Sequence, residues 1–364
     1  MPSAQPPLLH ISEPAEIAQV IPYLVGFTPE NSLVVSALQG KRIQVTARVN
    51  LDEVQPTGGV ELLLERIWNR YPDANGMAVA YTDDHLAGWD VLSRCDAWLS
   101  HGCVTMLVDG DTWQTADGTT GTIDPHGELA TQVAGQGLRT LPTRSDLAAR
   151  FDSAPNSDEF DRNLGTALAG LPEPRDITAI LQLTRTLIDR NLPTDPNRPN
   201  DLSPVDAIQL SVLAQHPAAR DLALLQIDRN NAADHLSLWQ HVIQATPAHG
   251  ADLPLYIAGM AAWISGDGAS ATIAVERALE HEQPTKGRHP AILLEGIIDN
   301  VIPPTAWDEV RHDLIAGATA ELKAALGHAT PPMAAEQGWP PTEPSHTARR
   351  EFLVRKPPAP GIAI

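Results

Sequence analysis

The sequence predicts two joined units, an α/β half with a mixed, partly parallel sheet followed by an all-helical half with tetratricopeptide-like packing. Three observations carry this. Up to about residue 150, apolar residues recur both at alternate positions and at helical spacing. From 175 to 327 they recur at threes and fours alone. Between the two lies 153–174, rich in Ser, Asp, Pro and Gly. The expected organisation is a loose lead-in over 1–10, an α/β unit over 11–152, a linker over 153–174, a helical unit over 175–327 and a disordered Pro-rich tail over 328–364.

The first helix should begin after Ser12, a good N-cap, with Pro14 in its first turn and Glu16 at the positive end of the dipole. Ile17, Val20, Ile21 and Leu24 form its apolar stripe, and Gly26 suits the position just past its end. Leu33–Leu38 and Ile43–Leu51 read as a hairpin with Gly40 in the turn. Residues 59–71 show the clearest helical face, from Val60 to Tyr71, closed by Pro72. Met77–Tyr81 and Cys103–Val108 read as strands flanking a helix with Leu86, Trp89, Leu92, Cys95 and Leu99 on one side. That order implies right-handed crossovers and some parallel pairing. Residues 109–127 read as turns, with helices near 128–136 and 144–151.

In the second half, helices are expected at 175–190, 203–215, 218–228, 232–245, 253–264, 269–282, 288–301 and 304–326. Segments 217–247 and 254–284 repeat a helix–turn–helix pattern. In the second, the small residues Gly259, Gly266, Ala271 and Ala278 sit where two helices would approach closely. Trp239, Trp263 and Trp307 are expected as core anchors, and Trp89 and Trp98 as core or cleft residues.

The formal charge of −20, from 45 acidic against 25 basic residues, opposes binding to phosphate backbones and anionic membranes. No run approaches the roughly 18 apolar residues of a membrane span, and no secretory leader is visible. A cytoplasmic location is therefore expected. In the tail, Arg349, Arg350, Arg355 and Lys356 surround Phe352 and Leu353, which would suit a docking peptide or a solvated end.

Ligands of open α/β sheets sit outside the carboxyl ends of the strands. Two such ends are acidic here: Asp83 and Asp84 with His85, and Asp109 with Asp111. Carboxylates in that number suit Mg²⁺ or another hard divalent cation, and His85 could move a proton near neutral pH. The competing reading is that Asp83 or Asp84 caps the helix and Asp109-Gly110-Asp111 is a turn. Cys95, His101 and Cys103 match no zinc spacing, and the two cysteines suit a core. Gly58-Gly59 before a helix could offer amides to a phosphate, although glycine at a helix start is ordinary. The chain has no P-loop, no dinucleotide fingerprint and no nucleophile elbow.

Residues 19–35, Gln-Val-Ile-Pro-Tyr-Leu-Val-Gly-Phe-Thr-Pro-Glu-Asn-Ser-Leu-Val-Val, resemble the opening signature of the actinobacterial family "domain of unknown function 4192", which some phages also carry. The resemblance continues through Val45–Val49, Ala80–Asp83, Pro142–Leu147, Ala262–Gly268, Ala274, Arg277–Leu279, Pro303, Pro304 and Trp307. It covers roughly 12–315 and implies no activity. One departure is visible. Trp113 is present, but Ala116, Asp117 and Gly118 stand where the resemblance implies cysteines, as in many members of that family. The signature loop of Gly26, Phe27, Pro29, Glu30, Asn31 and Ser32 could touch a ligand or could be turn chemistry between helix and strand. With no intact catalytic motif, the expectation is a non-enzymatic protein that senses a ligand or binds a protein partner through a helical surface. The alternative is a metal-dependent hydrolase or nucleotide-binding enzyme using the acidic strand ends.

Overall fold

In the computed structural model the described residues are 14–40, 42–99, 103–124, 127–135, 140–192, 202–280 and 289–327. The expected N-cap Ser12, His101, the lead-in and the Pro-rich tail lie outside them. Helix α1 (Pro14–Val25) ends at Gly26, whose φ of 81° only glycine adopts freely. Strands β1 (Ser32–Gln39) and β2 (Arg42–Asn50) form the expected antiparallel hairpin around Gly40, with a register shift at Ala37/Leu38. Helices α2 (Leu51–Val54) and α3 (Gly59–Arg70) lead to β3 (Asn75–Tyr81), and α4 (His85–Trp98) leads to β4 (Cys103–Asp109).

The six-stranded sheet runs β2-β1-β3-β4, then β5 (Thr112–Thr115) and β6 (Thr120–Thr122). Only β3 and β4 pair in parallel. The crossover from β2 to β3 is present, but β1 lies between them and is antiparallel to both, a split βαβ arrangement. Strand β1 is buried on both faces, as a central strand requires. Leu33, Val35 and Ala37 meet α3 and α4, while Val34 meets α1. Gly88 lets α4 lie flat on the parallel pair, since a Cβ there would stand 2.7 Å from Leu107 Cδ1. Trp98 is partly exposed and meets Trp68 edge to face at 6.0 Å. Cys95 is a buried core residue.

The region 109–127, expected as turns, instead carries β5 and β6. Both are short, polar and only partly covered at the sheet edge, so they lack the apolar alternation that marks a strand. Their turn is built by Asp117, which accepts from Thr115 Oγ1 (2.6 Å) and Thr119 N (3.0 Å), and by Gly118 at φ 86°. Ala116, Asp117 and Gly118 are thus used for turn formation.

In the Gly58-Gly59 pair, Gly58 takes a left-handed φ of 93° and Gly59 has a steric role. A Cβ on Gly59 would stand 2.8 Å from Val54 Cα and 2.9 Å from its carbonyl oxygen. The carbonyls of Val54, Gln55 and Pro56 converge on the Arg94 guanidinium, which also pairs with Glu61 at 2.7 Å. Gly59→Ala should therefore push backbone against backbone. A loss of roughly 1–3 kcal/mol in urea unfolding is expected.

Beyond the sheet come α5 (Glu128–Gly135), α6 (Arg144–Ala148), a 3-10 turn at Ala149–Phe151 and α7 (Asp158–Ala169). Then follow α8 (Ile177–Asn191), α9 (Pro204–Ala214), α10 (Pro217–Leu225), α11 (Ala232–Gln244), α12 (Ala248–Ser265), α13 (Gly268–Glu280), α14 (Ala291–Asp299), α15 (Ala306–Gly317) and α16 (Ala320–Ala325). The stretch read as a linker holds α7, and Gln209 Nε2 donates to the Ala167 carbonyl, fixing α7 to α9. Ala154 also bridges to Pro247. The single helix expected over 304–326 breaks where Ala318 is extended and Thr319 caps α16. Among the described residues no helix is long and apolar enough to cross a membrane.

Two prolines lie inside helices, and each leaves the carbonyl four residues earlier without its amide. Pro254 in α12 frees the Gly250 carbonyl, which accepts from Ser211 Oγ at 3.0 Å. Pro22 in α1 frees the Ala18 carbonyl, which accepts from the buried Tyr81 hydroxyl at 3.0 Å. Both orphaned acceptors are thereby satisfied across elements. In the α12–α13 hairpin, Gly259 passes so close to its neighbours that a Cβ would stand 2.9 Å from Leu294 Cδ2 and 3.2 Å from Ala274 Cβ. Trp239, Trp263 and Trp307 are all buried in the helical core.

The sheet half and the helical half interlock. Phe27, next to the sheet in sequence, is buried with Leu147, Phe151 and the helical core. Backbone bonds from Thr28 N to the Leu141 carbonyl (3.0 Å) and from Leu141 N to the Gly26 carbonyl (2.9 Å) stitch the seam. In return, Val301 beyond α14 packs among the sheet-side core residues.

Candidate functional site

The acidic strand ends come first. Asp84 Oδ1 accepts from Ala87 N at 3.0 Å and so caps α4. His85 Nε2 lies 2.9 Å from Asp109 Oδ2, with both side chains about half exposed. The Asp109 carbonyl accepts from Thr112 Oγ1 and the Asp111 carbonyl from Ile123 N, which is turn and edge chemistry. The structure thus joins His85 to Asp109 and gives Asp84 a structural bond. Among the described residues, no three His, Cys, Asp or Glu side chains converge as a metal site would require. Asp84→Ala should cost about 1 kcal/mol of stability through the lost cap, by the same amount with or without Mg²⁺.

The signature loop does something the sequence did not reveal. It fixes an arginine. Arg48, on β2, donates Nε–H to Ser32 Oγ at 2.9 Å and reaches the Glu30 carbonyl with Nη2 at 3.5 Å. Its guanidinium lies over the Phe27 ring, 5.6 Å from the centroid, in cation–π contact. Ser32 Oγ in turn bonds the Glu30 carbonyl. Asn31 takes a left-handed φ of 41°, which asparagine tolerates, and its Nδ2 reaches Asp52 Oδ1. Gly26 and the buried Pro29 frame the turn.

Arg48 stands on the wall of a cleft of about 370 Å³ between the two halves. One wall is β2, which contributes Gln44, Thr46, Arg48 and Asn50. The other is the α12–α13 turn, with Trp263, Gly266, Gly268, Ala269 and Thr272. Arg144 and Glu276 lie at the junction, and Ile302, Pro303 and Pro304 close one side. Each wall is built by local chemistry. Gly266 at φ 88° ends α12, Asp267 Oδ1 caps α13 through Ser270 N, and Trp263 Nε1–H holds the Ile302 carbonyl at 3.0 Å. Thr143 and Asp146 form a capping box that sets Arg144 at the start of α6.

Val301 also lines the cleft, at φ 52°. Its amide bonds the Ile298 carbonyl and that of Ile302 bonds the Ile297 carbonyl, the α14 ending in which glycine is usual. A β-branched residue there is strained, and such strain gathers at ligand clamps and switch regions.

Electrostatically the cleft is uneven. Arg144 Nη2 reaches both carboxylate oxygens of Glu276, at 2.8 and 2.6 Å. Glu53 accepts from Asn50 Nδ2. Among the described residues no carboxylate is ion-paired with Arg48. Burial first, and the Arg144 charge second, lower its pKa from 12.5 to about 10, so it remains a cation at neutral pH in a poorly solvated place.

The expected site residues therefore divide. The signature loop supports this cleft, whereas the acidic strand ends do not line it. Arg48, Arg144 and Glu276 were missed as a group. One signal was available. Ala47 and Val49 alternate with Gln44, Thr46 and Arg48 on β2, and that polar stripe, which the sequence shows only as strand alternation, is a cleft wall.

Several of the segments that carried the family resemblance line this cavity, through Phe27, Val45, Val49, Arg144, Trp263, Gly266, Gly268, Pro303 and Pro304, whereas Ala80–Asp83, Ala274, Arg277–Leu279 and Trp307 do not. No curated protein and no solved structure matches the chain. A family model described as "Domain of unknown function (DUF4192)" matches residues 14–305, and the chain belongs to that family.

Proposed function

We propose that the protein is a small-molecule-binding module, a ligand sensor whose site is the cleft between β2 and the α12–α13 turn. The observation that carries this reading is the convergence of six separated chain segments on one cavity. Its volume falls in the roughly 300–1,000 Å³ range of small-molecule sites. Its walls are largely apolar with a few placed polar groups, the usual composition of such a site. A site at the seam of two interlocked halves can couple occupancy to their relative packing, because a ligand touching both stabilises the closed arrangement. The helical half then offers the surface through which a protein partner would read that state.

The test is native mass spectrometry of protein exposed to a metabolite extract. The wild type should carry a small-molecule adduct. Ala269→Trp, which fills the cleft from the start of α13, should carry none while unfolding at a similar temperature. An adduct retained by Ala269→Trp, or none on the wild type, would count against the proposal.

A further inference from the structure

Resting on the cleft as the binding site, we infer that its ligand is a small amphipathic anion whose carboxylate-like head is taken by Arg48 beside Arg144. Arg48 is pre-oriented. Its Nε–H is committed to Ser32 Oγ, one Nη2 hydrogen points to the Glu30 carbonyl and its plane is held against Phe27, which leaves Nη1 and the second Nη2 hydrogen for a planar acceptor. Its hydrogen-bond partners among the described residues are neutral, a hydroxyl and a backbone carbonyl, while Glu53 and Glu276 act on it through charge without an ion pair. A partly buried guanidinium in that state gains from an incoming anion far more than a solvated one does.

The neighbouring Arg144 shows the kind of head that fits. It already binds the carboxylate of Glu276 through both oxygens. Arg144 is already paired with Glu276, and a neutral ligand would cover Arg48 without pairing it. The opposite side is apolar: Trp263, Ile302, Pro303 and Pro304 offer no charge. A bare inorganic anion would leave that surface wet, so the ligand needs an apolar body.

Isothermal titration with matched probes tests this: 4-phenylbutyrate, its neutral amide 4-phenylbutanamide, and inorganic phosphate. The acid should bind the wild type at least about tenfold tighter than the amide, a difference of about 1.4 kcal/mol. Arg48→Gln should erase that difference. Phosphate should bind more weakly than the acid. Equal binding of acid and amide by the wild type would overturn the anionic head while leaving the cleft as a site. Phosphate binding as tightly as the acid would overturn the apolar body. If neither organic probe saturates at millimolar concentration, or if the acid still binds Ala269→Trp, the cleft itself fails as the site. The acid-against-amide comparison uses wild-type protein alone, so it stands even if Arg48→Gln does not fold.

Discussion

Phe27→Ala should be among the most destabilising single substitutions in the chain, with a loss of about 3–5 kcal/mol. Phe27 is fully enclosed, although it follows α1 directly and precedes the first strand. Its ring joins Leu147 and Phe151 in the helical core, its backbone bridges Leu141, and its face supports the Arg48 guanidinium. Truncation opens a cavity at the seam that backbone bonds on both sides prevent from collapsing. It also removes the platform under Arg48. Phe27→Leu refills much of the volume and should cost less, while still losing the cation–π contact. Urea unfolding of the two variants measures this. A loss below about 1 kcal/mol for Phe27→Ala would mean that the seam is not packed around this residue.

The second large effect is acid sensitivity from His235. Its side chain is wholly buried in α11, and among the described residues neither ring nitrogen has a hydrogen-bond partner. One turn away, Trp239 Nε1 is likewise unpartnered. Burial lowers the His235 pKa from 6.5 to about 4, with Asp228 opposing the shift only in part. The folded state therefore prefers the neutral ring. Above about pH 6.5 both folded and unfolded chains are neutral at this site, and nothing is lost. As pH falls towards 4, the unfolded chain takes up a proton that the folded chain refuses. Stability should then fall by up to about 1.4 kcal/mol per pH unit before levelling off. His235→Leu removes the titrating group and two unsatisfied polar atoms together. It should flatten the stability curve between pH 5 and 7 and be more stable than wild type at pH 5. Parallel curves for wild type and variant across that range would contradict the assignment.

Much of the architecture was legible because periodicity and punctuation agreed. Gly26, Gly40 and Gly266 each sit at positive φ at an element end, and the hairpin and most helices begin or stop at such residues. What escaped had tertiary causes. Helix α12 begins at Ala248, well before the expected 253, because Ser211 supplies the bond that Pro254 denies to the Gly250 carbonyl. No local signal at Pro254 could show that partner. The strands β5 and β6 were invisible because an edge covered mainly by Trp113 needs no apolar alternation. A Cβ on Gly121 would stand 2.5 Å from that indole. Arg48 was hidden for a related reason. A single edge strand cannot show whether its polar side faces water or a second layer of protein. The resemblance marked Phe27, Arg144, Trp263 and Pro303 as belonging together, but only the fold shows them around one cavity.

Hydrogen exchange followed by mass spectrometry, with and without 4-phenylbutyrate, tests most directly whether the two halves share one site. Protection should appear together in β2 and across the α12–α13 turn, segments more than 200 residues apart in sequence, and should vanish in Ala269→Trp. Protection confined to one half, or centred on the His85–Asp109 end of the sheet, would contradict it.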